Sequence, residues 1–551
     1  MRIRATVRFR GTDRVVIQEP SGWRLMSWPD ARLLADGSGR LIDGPPGRTA
    51  VIESGALIMD GTPVAAAPGP VSEAAWDGDG FVAIVDGREL WSLPVAGPAR
   101  LLHRDSDLFR SPVSLAGFVG FVRISSSGLP GVILEVPDVR RPLLIDRSGG
   151  RPVDRVPQVD GWVDDVVPSP ADPDRLAFQH TPRPGPYAFR LGLLDHGTSS
   201  FPLPDNDLRS TGTGAPSAWS PDGSVVATAA LQGIRGGIAG CSPDGSAPRW
   251  LAPPEGVHTS PAPAPGGGLL SVWQDLGTRP SVVLTTPTGR TSWAPLHDEP
   301  DWWPDRPPRL VRWRSGPDEL EGLLLTPTGP GPHPLVIDLH GGPDNMTMQA
   351  SLSSYAVRPD SWVREGFAVF APDYRASGIL GFEAKRADGR FEPGTRTSYD
   401  DVIAGLDQLI ADGVAAPNQV YLFGFSMGGL VGGHVIARDH RIRAAAFWDP
   451  AGTDPYGTDN AILRRQLGGS ATEVPEVWRR ISLQPLASRT TIPVLIMSSG
   501  DPDRVAGRTH ARWSSALPRS EFRSFPDEGH IPSAEQRTRI GRQAVDWFRR
   551  S

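Results

Sequence analysis

The sequence predicts two domains of different class: an all-β propeller of six or seven blades over residues 1–300, then an α/β domain with a mostly parallel sheet over residues 301–551. Three observations predict this. A chain of 551 residues exceeds what one hydrophobic core organises. Short β-rich runs such as Phe81-Val-Ala-Ile-Val85 and Ser224-Val-Val-Ala-Thr228 fill the first half, broken roughly every 8–12 residues by Gly, Pro, Asp and Asn. Past a Pro-rich linker at Asp301-Trp-Trp-Pro-Asp-Arg-Pro-Pro308, apolar strands alternate with helical segments.

The propeller expectation rests on a weak repeat. Ser217-Ala-Trp-Ser-Pro-Asp-Gly resembles the stretch from Ser260, and Trp250 and Trp293 close the two units 43 residues apart. Looser copies start near Ser169 and Trp76. A unit of about 40–50 residues holding four short strands has the size of one blade. A pair of β-sandwiches is the alternative.

In the second half the expected strands are Pro334–Leu339, Phe367–Phe370, Val420–Phe423, Ala444–Trp448 and Pro493–Met497, with a helix over 399–411. Such fully apolar runs suit a sheet covered on both faces.

Composition excludes several classes. The net charge of −6 is small for this length and gives no footprint for nucleic acid. Lys385 is the only lysine, which reads as a codon bias toward arginine. No run of 18 apolar residues suggests a membrane span, and the alternating N-terminus, Met1-Arg-Ile-Arg-Ala-Thr-Val, reads as a strand rather than a secretory leader. Cys241 is the only cysteine, so no intrachain disulfide forms, as suits a cytoplasmic protein. Its turn-rich surroundings make it a poor nucleophile candidate. No His/Cys cluster with metal-ligand spacing and no phosphate loop is seen, so neither metal nor cofactor is expected. The sequence leaves room for a homo-oligomer without specifying one.

The chemistry lies in Gly424-Phe-Ser426-Met427-Gly428-Gly429. With 63 glycines, roughly half an occurrence of Gly-x-Ser-x-Gly arises by chance, so context carries the argument. The motif follows an apolar strand and opens a small-residue helix from Leu430, the setting in which glycines permit a sharp turn that lifts a serine hydroxyl above a sheet. A serine needs a base, and the base an acid, both downstream. His530, in Asp527-Glu-Gly-His530 after the Phe522–Phe525 strand, is the candidate base. Asp503, in Ser499-Gly-Asp-Pro-Asp503-Arg-Val505, is the preferred acid; Asp501 and, further down the order, Asp449 are alternatives. His434 reads as a packing residue. For the oxyanion, the backbone N–H groups of Gly342 and Met427 are the candidate donors, with His340 and Gly341 shaping the loop Leu339-His-Gly-Gly-Pro343 and Gly424 and Gly428 flanking the nucleophile.

With these residues in place, the chain from about Arg309 onward resembles the prolyl oligopeptidase family, especially its acylaminoacyl-peptidase-like branch. Leu310–Pro327 resembles the hairpin that opens the family's catalytic domain. His340-Gly-Gly-Pro343 resembles its oxyanion loop, and Asp373-Tyr-Arg-Ala-Ser-Gly378, Gly381-Phe382 and Asp400 or Asp401 resemble its Arg-Gly-Ser-x-Gly-Tyr-Gly segment with the acidic helix start that follows. The resemblance implies an α/β-hydrolase domain capped by a propeller that admits only small peptides. It also implies a serine peptidase acting on peptide or aminoacyl substrates, without membrane or nucleic-acid partners. The departures are Ala376, the run Ile379-Leu-Gly-Phe382, and an acid motif one residue short before Val505. Two other readings share the sequence: an esterase, amidase or acyl-transfer enzyme on an aminoacylated small molecule, and a propeller binding module on an inactive hydrolase domain.

Overall fold

The computed structural model describes the chain except residues 1–4, 11, 45–47, 65–66, 77, 105–107, 116–117, 126–138, 147–151, 154–161, 173, 182–189, 197, 204–216, 298–305, 343–345, 349–356, 358, 376, 378–395, 454–463, 465–466, 468 and 500–504. Up to Pro295 every strand belongs to an antiparallel unit, and four-stranded sheets follow one another along the chain. They form a propeller-like ring. The first sheet packs on the last: Val7, Val15, Ile17 and Met26 share a core with Ala262, Leu270, Val272, Val282 and Ala294. The seam is hydrogen-bonded, with Val7 N–H donating to Ser260 Oγ at 2.8 Å, Arg24 to the Pro295 carbonyl at 2.6 Å and Trp293 Nε1 to the Pro29 carbonyl at 3.0 Å.

The expected count of six or seven blades is corrected: among the described residues the ring counts four. Repeat length counts four-strand units, but a unit need not close as its own blade. The strands from Ala218 to Pro295 run on as one eight-stranded sheet, because Gly236 pairs in parallel with Val257. Several connections between residues 105 and 216 lie outside the described residues.

The second half is an eight-stranded sheet. We number its strands β1 (Arg309–Ser315), β2 (Asp318–Leu325), β3 (His333–Leu339), β4 (Ala368–Pro372), β5 (Ala415–Phe425), β6 (Ile442–Trp448), β7 (Val494–Ser498) and β8 (Ser520–Ser524). Their order across the sheet is 1-2-4-3-5-6-7-8, with β1, β2 and β4 joined antiparallel and the pairings from β4 across to β8 parallel. Alternation in β3 explains why its apolar run is continuous: Leu335, Ile337 and Leu339 enter the core on one face, Val336 that on the other.

Helices fill both faces. Among them α1 (Arg396–Ala411) turns Val402, Leu406 and Leu409 inward, a helical stripe. Helix α2 (Met427–Ile436) is buried throughout; a Cβ on Gly432 would stand 2.6 Å from Leu422 and one on Gly433 2.6 Å from Leu483, so only small residues let it sit this close to the sheet. Helix α3 (Val505–Ala516) follows β7, and α4 (Ala534–Arg550) is capped by Ser533 Oγ, which accepts from Gln536 N–H at 3.2 Å. No helix among the described residues is long and apolar enough to cross a membrane.

The two halves meet at a hairpin tip. Ile234, 2% exposed, joins the core cluster of Leu323 and Leu325, while Arg235 donates to Glu321 at 3.1 Å.

Candidate active site

At the end of β5 the chain turns sharply. Ser426 has φ 52° and ψ −114°, a left-handed conformation that costs a non-glycine residue about 1–3 kcal/mol. Surrounding bonds enforce it: Ser426 N–H donates to the Trp448 carbonyl at 3.0 Å, and its own carbonyl accepts from Gly429 N–H at 2.9 Å and Ala451 N–H at 2.8 Å. The flanking glycines are obligatory. A Cβ on Gly424 would lie 2.6 Å from the Gly428 carbonyl oxygen, and one on Gly428 2.1 Å from that of Leu339. Met427, the first residue of α2, follows directly.

The loop after β3 lies against this turn, since a Cβ on Gly341 would stand 2.8 Å from the Phe425 ring and 3.3 Å from Ser426 Cβ. His340 braces it. Its Nδ1 donates to the Gly341 carbonyl at 2.7 Å, so Nδ1 carries a proton. Its Nε2 meets Ser377 Oγ at 2.8 Å and Asp373 Oδ1 at 3.2 Å. The ring stacks on Tyr374 with centroids 4.8 Å apart, and the Tyr374 hydroxyl donates to the His340 carbonyl at 2.9 Å. Burial, with the Asp373 charge nearby, pushes the Tyr374 phenol well up, which keeps it a donor. Because a peptide is planar and trans, fixing the Gly341 carbonyl also fixes the opposite direction taken by Gly342 N–H.

His530 reaches the same place from the loop after β8. Its ring lies 4.9 Å from that of Phe425, and its carbonyl accepts from Trp448 Nε1 at 3.0 Å. Behind it stands Asp449, whose Oδ2 is 3.1 Å from His530 Nδ1. Burial pushes the Asp449 carboxyl up, but His530, His510 and Ser499 outweigh it and hold it below the ordinary carboxylate value. Asp503 and Asp501 lie outside the described residues, as do Pro343, Gly378, Gly381 and Phe382. Among the described residues, Asp449 is the carboxylate at His530.

Other candidates fall into place. His434 is a packing residue: its Nε2 donates to the Ile481 carbonyl at 3.1 Å, and burial lowers its pKa to about 4. Burial pushes the Cys241 thiol up to about 12, so it is no nucleophile. Of the two acids at the helix start, Asp401 pairs with Arg375, which also reaches Asp318 and Ser315 and so ties the end of β4 to the β1–β2 hairpin. Asp172, Asp174 and His196 bring ligand atoms within 4.8 Å of one another, partly exposed and close to Arg175. Sequence reading gave no role to Tyr374, Trp448 or His510. Tyr374 at least stands at a strand end beside Asp373; the other two act through contacts 82 and 60 residues away along the chain.

Comparison with known proteins agrees with this geometry. Residues 353–551 match the model of the prolyl oligopeptidase family. No curated protein matches the chain. Among solved structures, an acylaminoacyl peptidase of Pyrococcus horikoshii shares 14% identity at a TM-score of 0.75, covering 99% of this chain and 96% of its own. A puromycin-hydrolyzing peptidase of Mycobacterium tuberculosis shares 17% at 0.66, covering 100% and 94%. Dipeptidyl peptidase 4 of Porphyromonas gingivalis shares 12% at 0.69, covering 100% and 97%. Residues 353–551 thus match the prolyl oligopeptidase family, and the chain as a whole shares the fold of these solved peptidases.

Proposed function

We propose that the protein hydrolyses peptide or aminoacyl amide bonds of small substrates through an acyl-enzyme on Ser426. The observation that carries this reading is the convergence at the end of β5: a strained serine turn, a glycine loop packed on it, and a histidine ring beside it with a buried carboxylate behind.

The mechanism follows from the chain's own groups. Ser426 Oγ attacks the substrate carbonyl carbon while His530 Nε2 takes the hydroxyl proton. Charge develops on the carbonyl oxygen, and the N–H groups of Gly342 and Met427 are the donors for it, each worth roughly 3–4 kcal/mol in the transition state. His530 then returns its proton to the leaving amine; water repeats the cycle and releases the acyl group. A carboxylate behind His530 holds the tautomer with Nδ1–H. The sequence pattern offers Asp503 for that role and the described geometry Asp449. The propeller half, fastened through Ile234, covers residues 1–300 of the proposed domain division and serves as a lid that keeps folded proteins out.

A second reading is an esterase or amidase acting on an aminoacylated small molecule. It is favoured by two neighbours named for puromycin hydrolysis, at 17% and 16% identity.

The test is a matched chromogenic panel of free aminoacyl, acylated aminoacyl and dipeptidyl anilides with the corresponding esters, run with wild type and Ser426→Ala. Anilide cleavage that falls by about 10⁶ in the variant is expected. Ester cleavage alone would select the second reading, and normal turnover by Ser426→Ala would remove the nucleophile.

A further inference from the structure

The acid of the family resemblance falls in Ser499–Val505, whose Asp501 and Asp503 lie outside the described residues, whereas Asp449 directly follows β6. We propose that Asp449, at the end of β6, is the positioning residue that holds His530 for proton transfer. The inference rests on the proposed hydrolase reading and goes beyond it by assigning the acid.

The surroundings of Asp449 are built for an anion with one cationic partner. Its side chain is fully buried. Oδ1 accepts from Ser499 N–H at 2.8 Å, and Oδ2 accepts from Ser499 Oγ at 2.5 Å and from His530 Nδ1 at 3.1 Å. A carboxylate that accepts three donors stays ionised. The other imidazole nearby, His510 on α3, has its Nδ1 3.8 Å from Oδ1. His510 does not compete for the charge. Its Nε2 faces the Pro450 carbonyl at 3.1 Å, which can only accept, so the proton sits on Nε2 and Nδ1 accepts from Ser498 Oγ at 2.7 Å. Burial also holds His510 below its ordinary value, hence neutral. Of the two imidazoles, His530 is the one that meets the Asp449 carboxylate at hydrogen-bond distance.

The backbone argues the same way. Asp449 has φ 44°, a strained conformation for a non-glycine residue, and its N–H donates to the Met497 carbonyl at 2.9 Å. The dipeptide Trp448-Asp449 then bonds to both the nucleophile turn and the His530 loop. The Trp448 carbonyl accepts from Ser426 N–H, its indole N–H donates to the His530 carbonyl, and the Asp449 carboxylate meets the His530 ring. When Ser426 Oγ passes its proton to Nε2, the Nδ1–H of the imidazolium remains on Oδ2, and the new positive charge forms beside a fixed negative one. The β7 segment, by contrast, is one residue short between Asp503 and Val505 relative to the family pattern.

The test compares Asp449→Asn, Asp449→Glu and Asp503→Asn in the full chain, with Ser426→Ala as reference. Asp449→Asn keeps the shape and the Ser499 N–H bond to Oδ1, but puts an amide nitrogen in place of the oxygen that accepts from Ser499 Oγ and His530 Nδ1. It is expected to lower kcat by about 10³–10⁴ with KM within threefold. Asp449→Glu recovers at least tenfold over Asn, and Asp503→Asn loses at least a hundredfold less than Asp449→Asn. A far-UV spectrum and melting temperature near wild type exclude misfolding as the cause of the loss. The proposal is overturned if Asp503→Asn carries the greater loss, or if Asp449→Glu recovers no activity over Asp449→Asn. Either result leaves the nucleophile standing so long as Ser426→Ala is inactive; turnover by Ser426→Ala would instead defeat the underlying reading.

Discussion

Two neighbouring strands, β5 and β6, end in the same way and advertise it differently. Ser426 and Asp449 both hold a left-handed backbone, at φ 52° and 44°, and His530 lies by both strand ends, its ring 4.9 Å from that of Phe425 and its Nδ1 3.1 Å from Asp449 Oδ2. At Ser426 the tight turn is relieved locally: Gly424 and Gly428 remove the Cβ atoms that would strike the Gly428 and Leu339 carbonyls. At Asp449 it is held by distant groups, Met497 and Ser499 on β7 and its exit and His530 beyond β8. Strain relieved by glycine leaves a sequence motif. Strain held by tertiary hydrogen bonds leaves none.

Three variants or conditions sharpen that contrast beyond the serine and aspartate tests above. The largest effect on folding belongs to Gly428→Ala. Its new methyl group has no room 2.1 Å from the Leu339 oxygen, so a loss of about 3 kcal/mol in urea unfolding is expected, with activity lost alongside. Unchanged stability would mean that the turn has slack.

Acid reaches both halves of the molecule at once. Burial, helped by Arg290, lowers the pKa of His258 to about 3; burial, with Arg438 nearby, lowers that of His434 to about 4. Unfolding returns both to an ordinary value near 6.5. Their folded values are depressed, so the unfolded chain binds more protons between pH 6.5 and 4 and stability falls as pH falls through that window. The slope is about 1.4 kcal/mol per pH unit for each histidine. Asp449, an acid with a depressed value, adds its own loss only below about pH 4, as it protonates. Denaturant midpoints at pH 7 and pH 5 check the first window. Equal midpoints would show that these rings are accessible to protons.

The change at the junction touches stability without touching the site. Ile234→Ala empties a packed position between ring and sheet and should cost about 2 kcal/mol in the cooperative transition that includes the α/β half, with activity retained. If the transition splits in two instead, the halves fold independently and Ile234 is only a docking contact.

What was legible in the sequence follows the same division. The β3, β5, β6 and β7 strands, the Ser426 turn and the His340 loop are each encoded within a dozen residues, and the structure places them as read. A repeat of four strands says nothing about whether adjoining units fuse, and the one fusion seen, at Gly236–Val257, accounts for only part of the difference in blade count. Asp449 ranked behind Asp503 because its qualification is a contact with a residue 81 positions later. Trp448 was read as a strand residue, and nothing local shows that its indole steadies the His530 loop.

The seam of the ring bears on how the protein is made. Val7 finds Ser260, and Arg24 finds Pro295, only after some 250 further residues have been synthesised. At roughly 5–20 residues per second the first sheet waits about 15–50 s on the ribosome with an apolar face uncovered. Nascent chains are thus most prone to aggregate while the ring is open, and rare codons placed before residue 260 would lengthen that exposure.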